Sequence, residues 1–98
     1  MNKIIFITGT SSGFGKLAVT TLSKAGYTVI AGMRGNTGKN KAVAEELSAL
    51  PNVTVAEIDI TSDSSVNAAI AQTLARYGRI DVLVNNAAMS GFGLFEAY

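Results

Sequence analysis

Cysteine and histidine are both absent from the 98 residues. Disulfides, thiolate or imidazole metal sites and Ser-His-Asp catalysis are therefore excluded within this chain. Proline occurs once, at Pro51, and only 15% of the residues are charged, with a formal net charge of +1. A balance so close to neutral argues against a nucleic-acid surface held by bulk charge, and a 48% apolar content argues against disorder. Long apolar runs are missing too. None approaches the ~18–20 residues that span a bilayer, so no membrane partner is expected. The first strand begins within three residues of Met1, leaving no room for a signal peptide, and the expected location is the cytoplasm.

Glycine, in contrast, is plentiful and concentrated. Ile4-Ile5-Phe6-Ile7 is a continuous apolar run, as in a strand buried on both faces of a parallel sheet. It breaks into Thr8-Gly9-Thr10-Ser11-Ser12-Gly13-Phe14-Gly15, where three glycines fall within seven residues. Such a turn lets backbone approach a ligand closely. The helix that follows points its unpaired N–H groups and positive dipole end at the turn, which makes a phosphate site. A nucleotide is the expected ligand.

The spacing separates three phosphate loops. A P-loop needs G-x-x-x-x-G-K-[ST], but Thr10 stands at its first glycine and Leu17 at its hydroxyl, so it is rejected. A G-x-G-x-x-G/A fingerprint forced onto Gly13, Gly15 and Ala18 leaves a long gap after the strand. The third possibility, Thr8-Gly9-x-x-x-Gly13-x-Gly15, begins at the strand end.

The rest of the chain alternates. Strands are expected over Lys3–Thr8, Tyr27–Met33, Val53–Ile58 and Ile80–Asn85. Helix one spans Phe14–Ala25 with Leu17, Ala18, Thr21, Leu22 and Ala25 along one face, and Gly26 ends it. Helix two carries Val43, Leu47 and Leu50 and stops at Pro51. Helix three is capped by Thr61, Ser62 or Asp63, repeats Val66, Ile70, Thr73, Leu74 and Tyr77, and ends at Gly78. This β-α-β-α-β-α-β series predicts an α/β class, the first half of a Rossmann-type doubly wound parallel sheet, and by analogy with that fold the strand order is 3-2-1-4.

The turn resembles the T-G-x-x-x-G-x-G signature of the short-chain dehydrogenase/reductase family at all four positions. Asn85-Asn86-Ala87-Ala88 is similar to the family's Asn-Asn-Ala-Gly, with Ala88 departing from the glycine. The resemblance implies a cofactor site built from Gly9, Ser11, Ser12, Gly13, Phe14 and Gly15 at the pyrophosphate, and Asn86, Ala87 and Ala88 beside the ribose. It also implies Asp59 at the adenine amino group and Ile60 against the ring. A receiver domain also ends its third strand in an aspartate, but needs acidic metal ligands after strand one, where this chain has Thr8-Gly9-Thr10-Ser11.

Dinucleotide folds commonly place an acid about twenty residues after the glycines, on the ribose 2′-hydroxyl. Strand two ends Ala31-Gly32-Met33-Arg34, without one. A guanidinium at Arg34 suits a 2′-phosphate, so the expected cofactor is NADP(H) rather than NAD(H), with Ser12, Lys39 and Lys41 as weaker candidates.

The family's chemistry uses a serine and a Tyr-x-x-x-Lys beyond strand five, with the tyrosine as general acid/base. No catalytic residue is assigned here: Tyr27 and Tyr77 are followed four positions on by Ala31 and Asp81, and Tyr98 is last. Residues 1–98 read as the N-terminal cofactor-binding part of a single Rossmann-type domain, whose parent is an oxidoreductase acting on a small carbonyl or alcohol. The resemblance implies a homo-oligomeric parent. A non-catalytic nucleotide-sensing module is the alternative. Alone, the fragment is expected to be inactive, with an unpaired edge on strand four, and Ser90–Phe95 is expected to border a substrate cleft.

Overall fold

The computed structural model describes residues 3–10, 13–35, 38–84 and 95–97. Its elements run β1 (Ile4–Ile7), α1 (Gly13–Lys24), β2 (Thr28–Met33), α2 (Lys41–Ser48), β3 (Val53–Glu57), α3 (Asp63–Tyr77), β4 (Val82–Val84) and β5 (Phe95–Ala97). The sheet order is β3-β2-β1-β4-β5. The first four strands are parallel, as expected from helices alternating with short apolar strands. Successive β1 side chains feed opposite cores. Ile5 and Ile7 join Val19, Val29, Ala31, Met33, Ala44 and Leu47, while Ile4 and Phe6 join Ile30, Ile58 and Ala69. Helices α1 and α2 thus cover one face and α3 the other.

Two parts of the sequence reading are corrected. The buried stripe of α1 is Gly15, Val19 and Ser23, flanked by the half-buried Ala18 and Leu22. Leu17 is 62% exposed, and Thr21 and Ala25 are exposed as well. Val19 is fully buried on this face, and beside it the Ser23 hydroxyl donates to the Pro51 carbonyl at 2.6 Å. On α3, Ala69 and Thr73 are buried, whereas Leu74 faces outward.

The edge of β4 also differs from expectation. It carries β5, paired antiparallel with Val84 opposite Phe95. Phe95 therefore belongs to a strand, while residues 90–94 lie outside the described residues.

The helix ends follow local chemistry. Ser62 is the N-cap of α3, accepting the Ser65 N–H at 3.3 Å, and Gly78 closes that helix at φ 83°. Between α3 and β3, the Tyr77 and Thr54 hydroxyls share a 2.9 Å hydrogen bond.

Asp81 ties the start of β1 to β4. Its Oδ2 accepts the Ile4 N–H at 2.7 Å, its own N–H donates to the Ile4 carbonyl at 2.8 Å, and Arg79 Nε donates to both carboxylate oxygens. The Ile4 N–H, followed by Arg79, holds the Asp81 carboxyl below the ordinary aspartate range. Since the folded pKa lies below the unfolded one, this stabilisation is complete above the ordinary value of 3.8 and disappears as pH falls through the lowered folded value. Urea denaturation from neutral pH down to about pH 3 should show stability declining at the acid end. Asp81→Asn, which keeps the acceptor for Ile4 but not the charge, should be less stable at neutral pH and show a flatter acid decline.

Candidate cofactor site

Three parallel strands end side by side, and the chain leaves each through a different turn. The carboxyl ends of strands in an open α/β sheet are where ligands sit. Here those ends enclose a cleft of about 780 Å³ lined by residues that follow β1, β2 and β3.

After β1 the backbone turns sharply. Gly9 has φ 67° and Gly13 φ 60°, a left-handed conformation costly to residues with a Cβ. At Gly13 a Cβ would meet nothing within 4 Å among the described residues. Gly15 is buried on the inner side of α1. The first turn of α1 holds no acidic residue, so nothing on that turn offsets its positive dipole end. Phe14, the next residue, is 60% exposed. Lys16, which the P-loop comparison raised, pairs with Glu46 of α2 at 3.1 Å.

Thr10, which the spacing argument used only to reject a P-loop, locks this turn. It is fully buried, and both its N–H and its hydroxyl donate to the Gly32 carbonyl on β2, at 3.2 and 3.0 Å. The only signal in the sequence was a hydroxyl within a glycine turn. Thr10→Val preserves shape but removes the side-chain bond, and should cost about 0.5–1.5 kcal/mol of stability in urea denaturation.

After β2, Arg34 is exposed at the cleft, followed by Gly35 at φ 67°. Asn40 closes this turn, its side-chain amide donating to the Arg34 carbonyl at 2.6 Å and its N–H to the Gly35 carbonyl at 2.8 Å. Lys39 lines the same cleft, whereas Lys41, which begins α2, is not among its lining residues.

After β3 come Ile58, Asp59 and Ile60, all lining the cleft. Ile58 is buried, whereas Ile60 is 38% exposed and presents an apolar edge. Asp59 Oδ1 accepts the Thr61 hydroxyl at 2.6 Å and the Thr61 N–H at 3.0 Å, while the Asp59 N–H donates to Ser65. The Thr61 hydroxyl, then its N–H, hold the Asp59 carboxyl below its ordinary range, with a smaller contribution from the Arg34 charge. The acid is therefore held ionised and oriented by its own turn.

The cleft thus gathers Gly9, Arg34, Asp59, Ile60 and Lys39, which are far apart in the chain. Gly13, Phe14 and Gly15 sit on the adjoining helix start. Ser11, Ser12, Asn86, Ala87 and Ala88 lie outside the described residues. The cleft also includes Glu57, a carboxylate that the sequence reading did not single out.

Residues 3–98 match the short chain dehydrogenase family. This chain belongs to that family. As a short-chain dehydrogenase sequence it is similar to 3-ketodihydrosphingosine reductase of Bacteroides thetaiotaomicron, at 37% identity over 96% of this chain and 31% of the relative. Among solved structures it resembles a 3-ketoacyl-(acyl-carrier-protein) reductase of Brucella melitensis complexed with NADH. The TM-score there is 0.71 at 32% identity, covering 84% of this chain and 32% of that one. It also resembles a ribose-5-phosphate isomerase from Brucella melitensis 16M, with a TM-score of 0.74 at 33% identity, covering 86% of this chain and 31% of that one. This short-chain dehydrogenase chain spans about a third of the length of these relatives. Among its described residues, no helix is long and apolar enough to cross a membrane.

Proposed function

We propose that residues 1–98 are the N-terminal cofactor-binding part of an NADP(H)-dependent oxidoreductase that passes hydride between nicotinamide and a carbonyl or alcohol. The observation that carries this reading is the convergence of Gly9, Arg34 and Asp59 on one cleft at the strand ends. In this reading Gly9, Ser11, Ser12, Gly13, Phe14 and Gly15 cradle the pyrophosphate. The space before Gly13, which no described residue fills, and the acid-free first turn of α1 suit that anion. Arg34 takes the 2′-phosphate, Asp59 the adenine amino group, and Ile60 the ring face. Asn86, Ala87 and Ala88 run beside a cofactor ribose.

The bound nicotinamide would supply or accept the hydride. This chain's residues bind and orient it, while the serine and Tyr-x-x-x-Lys that handle the proton lie in the rest of the parent. A cytoplasmic, homo-oligomeric parent acting on a small molecule completes the proposal. The 3-oxo substrates named for two relatives make 3-oxoacyl thioesters and long-chain amino ketones the first compounds to try.

Protein expressed from the whole gene should oxidise NADPH in step with loss of one of these carbonyl compounds. Cofactor binding without turnover on the panel, in a gene lacking a downstream Tyr-x-x-x-Lys, would instead identify a non-catalytic nucleotide-binding module.

A further inference from the structure

The end of β2 has no acid, yet a carboxylate reaches that turn from the neighbouring strand. The parallel register sets Glu57 of β3 beside Met33 of β2. Glu57 Oε2 accepts the Gly35 N–H at 3.0 Å, one residue beyond Arg34. Glu57 therefore stands in the turn where a dinucleotide fold usually presents its ribose-binding acid, although it is distant in sequence. A carboxylate accepts as many as about four hydrogen bonds, so the bond from Gly35 does not by itself exclude one from a ribose hydroxyl. The charged lining of the cleft is also balanced, with Arg34 and Lys39 against Glu57 and Asp59. Such a lining does not select a dianion by charge alone.

We propose that Glu57 is a specificity-determining residue that accepts the adenosine ribose 2′-hydroxyl of NAD(H). Through it the cleft admits NAD(H) as well as NADP(H). This rests on the cofactor reading above. Arg34 and Glu57 act in opposition. The guanidinium attracts a 2′-phosphate, while the carboxylate repels it and holds the Gly35 N–H that the phosphate would otherwise take. Glu57 is exposed, so neutralising it should leave the fold intact.

The test is calorimetric titration of NADH and NADPH into protein from the whole gene, as wild type, Glu57→Gln and Arg34→Ala. Wild type should bind both cofactors within about a hundredfold of each other. Glu57→Gln should raise the ratio Kd(NADH)/Kd(NADPH) by about tenfold, the scale of a hydrogen bond to a charged group. A rise of less than about threefold, or a fall, overturns the proposal, as does a wild-type preference for NADPH beyond about a hundredfold. If Glu57→Gln binds neither cofactor, Glu57→Asp decides: selective recovery of NADH supports the role, and equal recovery of both overturns it. Arg34→Ala separates the two readings. If it leaves NADPH affinity unchanged, the 2′-phosphate assignment itself fails. If it weakens NADPH while Glu57→Gln leaves the ratio unchanged, only the Glu57 role is lost.

Discussion

Replacing Arg34 with Asp should weaken NADPH binding by about 1.5–3 kcal/mol, roughly ten- to hundredfold in Kd, and change NADH binding far less. The guanidinium is exposed at the mouth of the cleft, and its backbone is held by Asn40, so the substitution alters charge without emptying a core position. A planar cation and a phosphate dianion form charge-assisted, bidentate hydrogen bonds, which a ribose hydroxyl cannot match. The new carboxylate would also join Glu57 and Asp59, both lining the same cleft, and their repulsion adds to the loss for a dianion. Titrations of the two cofactors check this directly. Equal weakening of both would remove the 2′-phosphate role from Arg34.

The second large effect is on stability and comes from Gly32. A Cβ built there lies 2.9 Å from Ile58 Cγ2, 3.2 Å from the Ile7 carbonyl oxygen and 3.2 Å from the Phe6 ring. Ile58, Phe6 and Ile7 are all buried, and one of the contacts is backbone, so no flexible side-chain tip can swing aside. Gly32→Ala should therefore cost about 1–3 kcal/mol in urea denaturation, the usual range for overpacking a filled core. The same residue's carbonyl receives both bonds from Thr10, so a shifted β2 would also loosen the glycine turn. An unchanged denaturation midpoint would show that the sheet gives way easily at this position.

These two residues show what the sequence makes legible and what it hides. Arg34 was visible because it follows the last apolar residue of a strand, at a position fixed by counting from the glycine turn. Gly9, Gly13 and Gly78 were visible for a local reason: each has a positive φ, which the turn or helix end itself demands. The parallel sheet follows from the alternation of strands and helices, because a helical crossover joins parallel strands, while the strand order comes from the likeness to a dinucleotide fold. Gly32 gave no comparable signal, since a glycine inside a strand is explained only by what packs against it. Thr10 and Glu57 depend on the register between strands, Thr10 through Gly32 and Glu57 through Met33. A chain read in order carries no record of that pairing. The inner face of α1 is hidden from the sequence for a related reason. Leu17 fits an apolar stripe, but the face that packs on the core carries Val19 and Ser23, and Ser23 finds its partner, the Pro51 carbonyl, 28 residues away.

Asp59 shows a motif whose geometry has two consequences. Its bonds to Thr61 order the turn into α3, and they also hold a carboxylate ionised at the cleft. An acceptor so fixed can meet an amino group without first paying the conformational cost of being ordered.

The central claim is that the Thr8-Gly9-x-x-x-Gly13-x-Gly15 turn holds a nicotinamide dinucleotide rather than a mononucleotide. The most direct measurement is calorimetric titration of NADPH, and separately of magnesium-ATP, into protein expressed from the whole gene. Saturable one-to-one binding of NADPH is expected, at least about tenfold tighter than magnesium-ATP, a gap of about 1.4 kcal/mol. Magnesium-ATP binding as tightly as NADPH, or no NADPH binding up to about millimolar concentration, would contradict it.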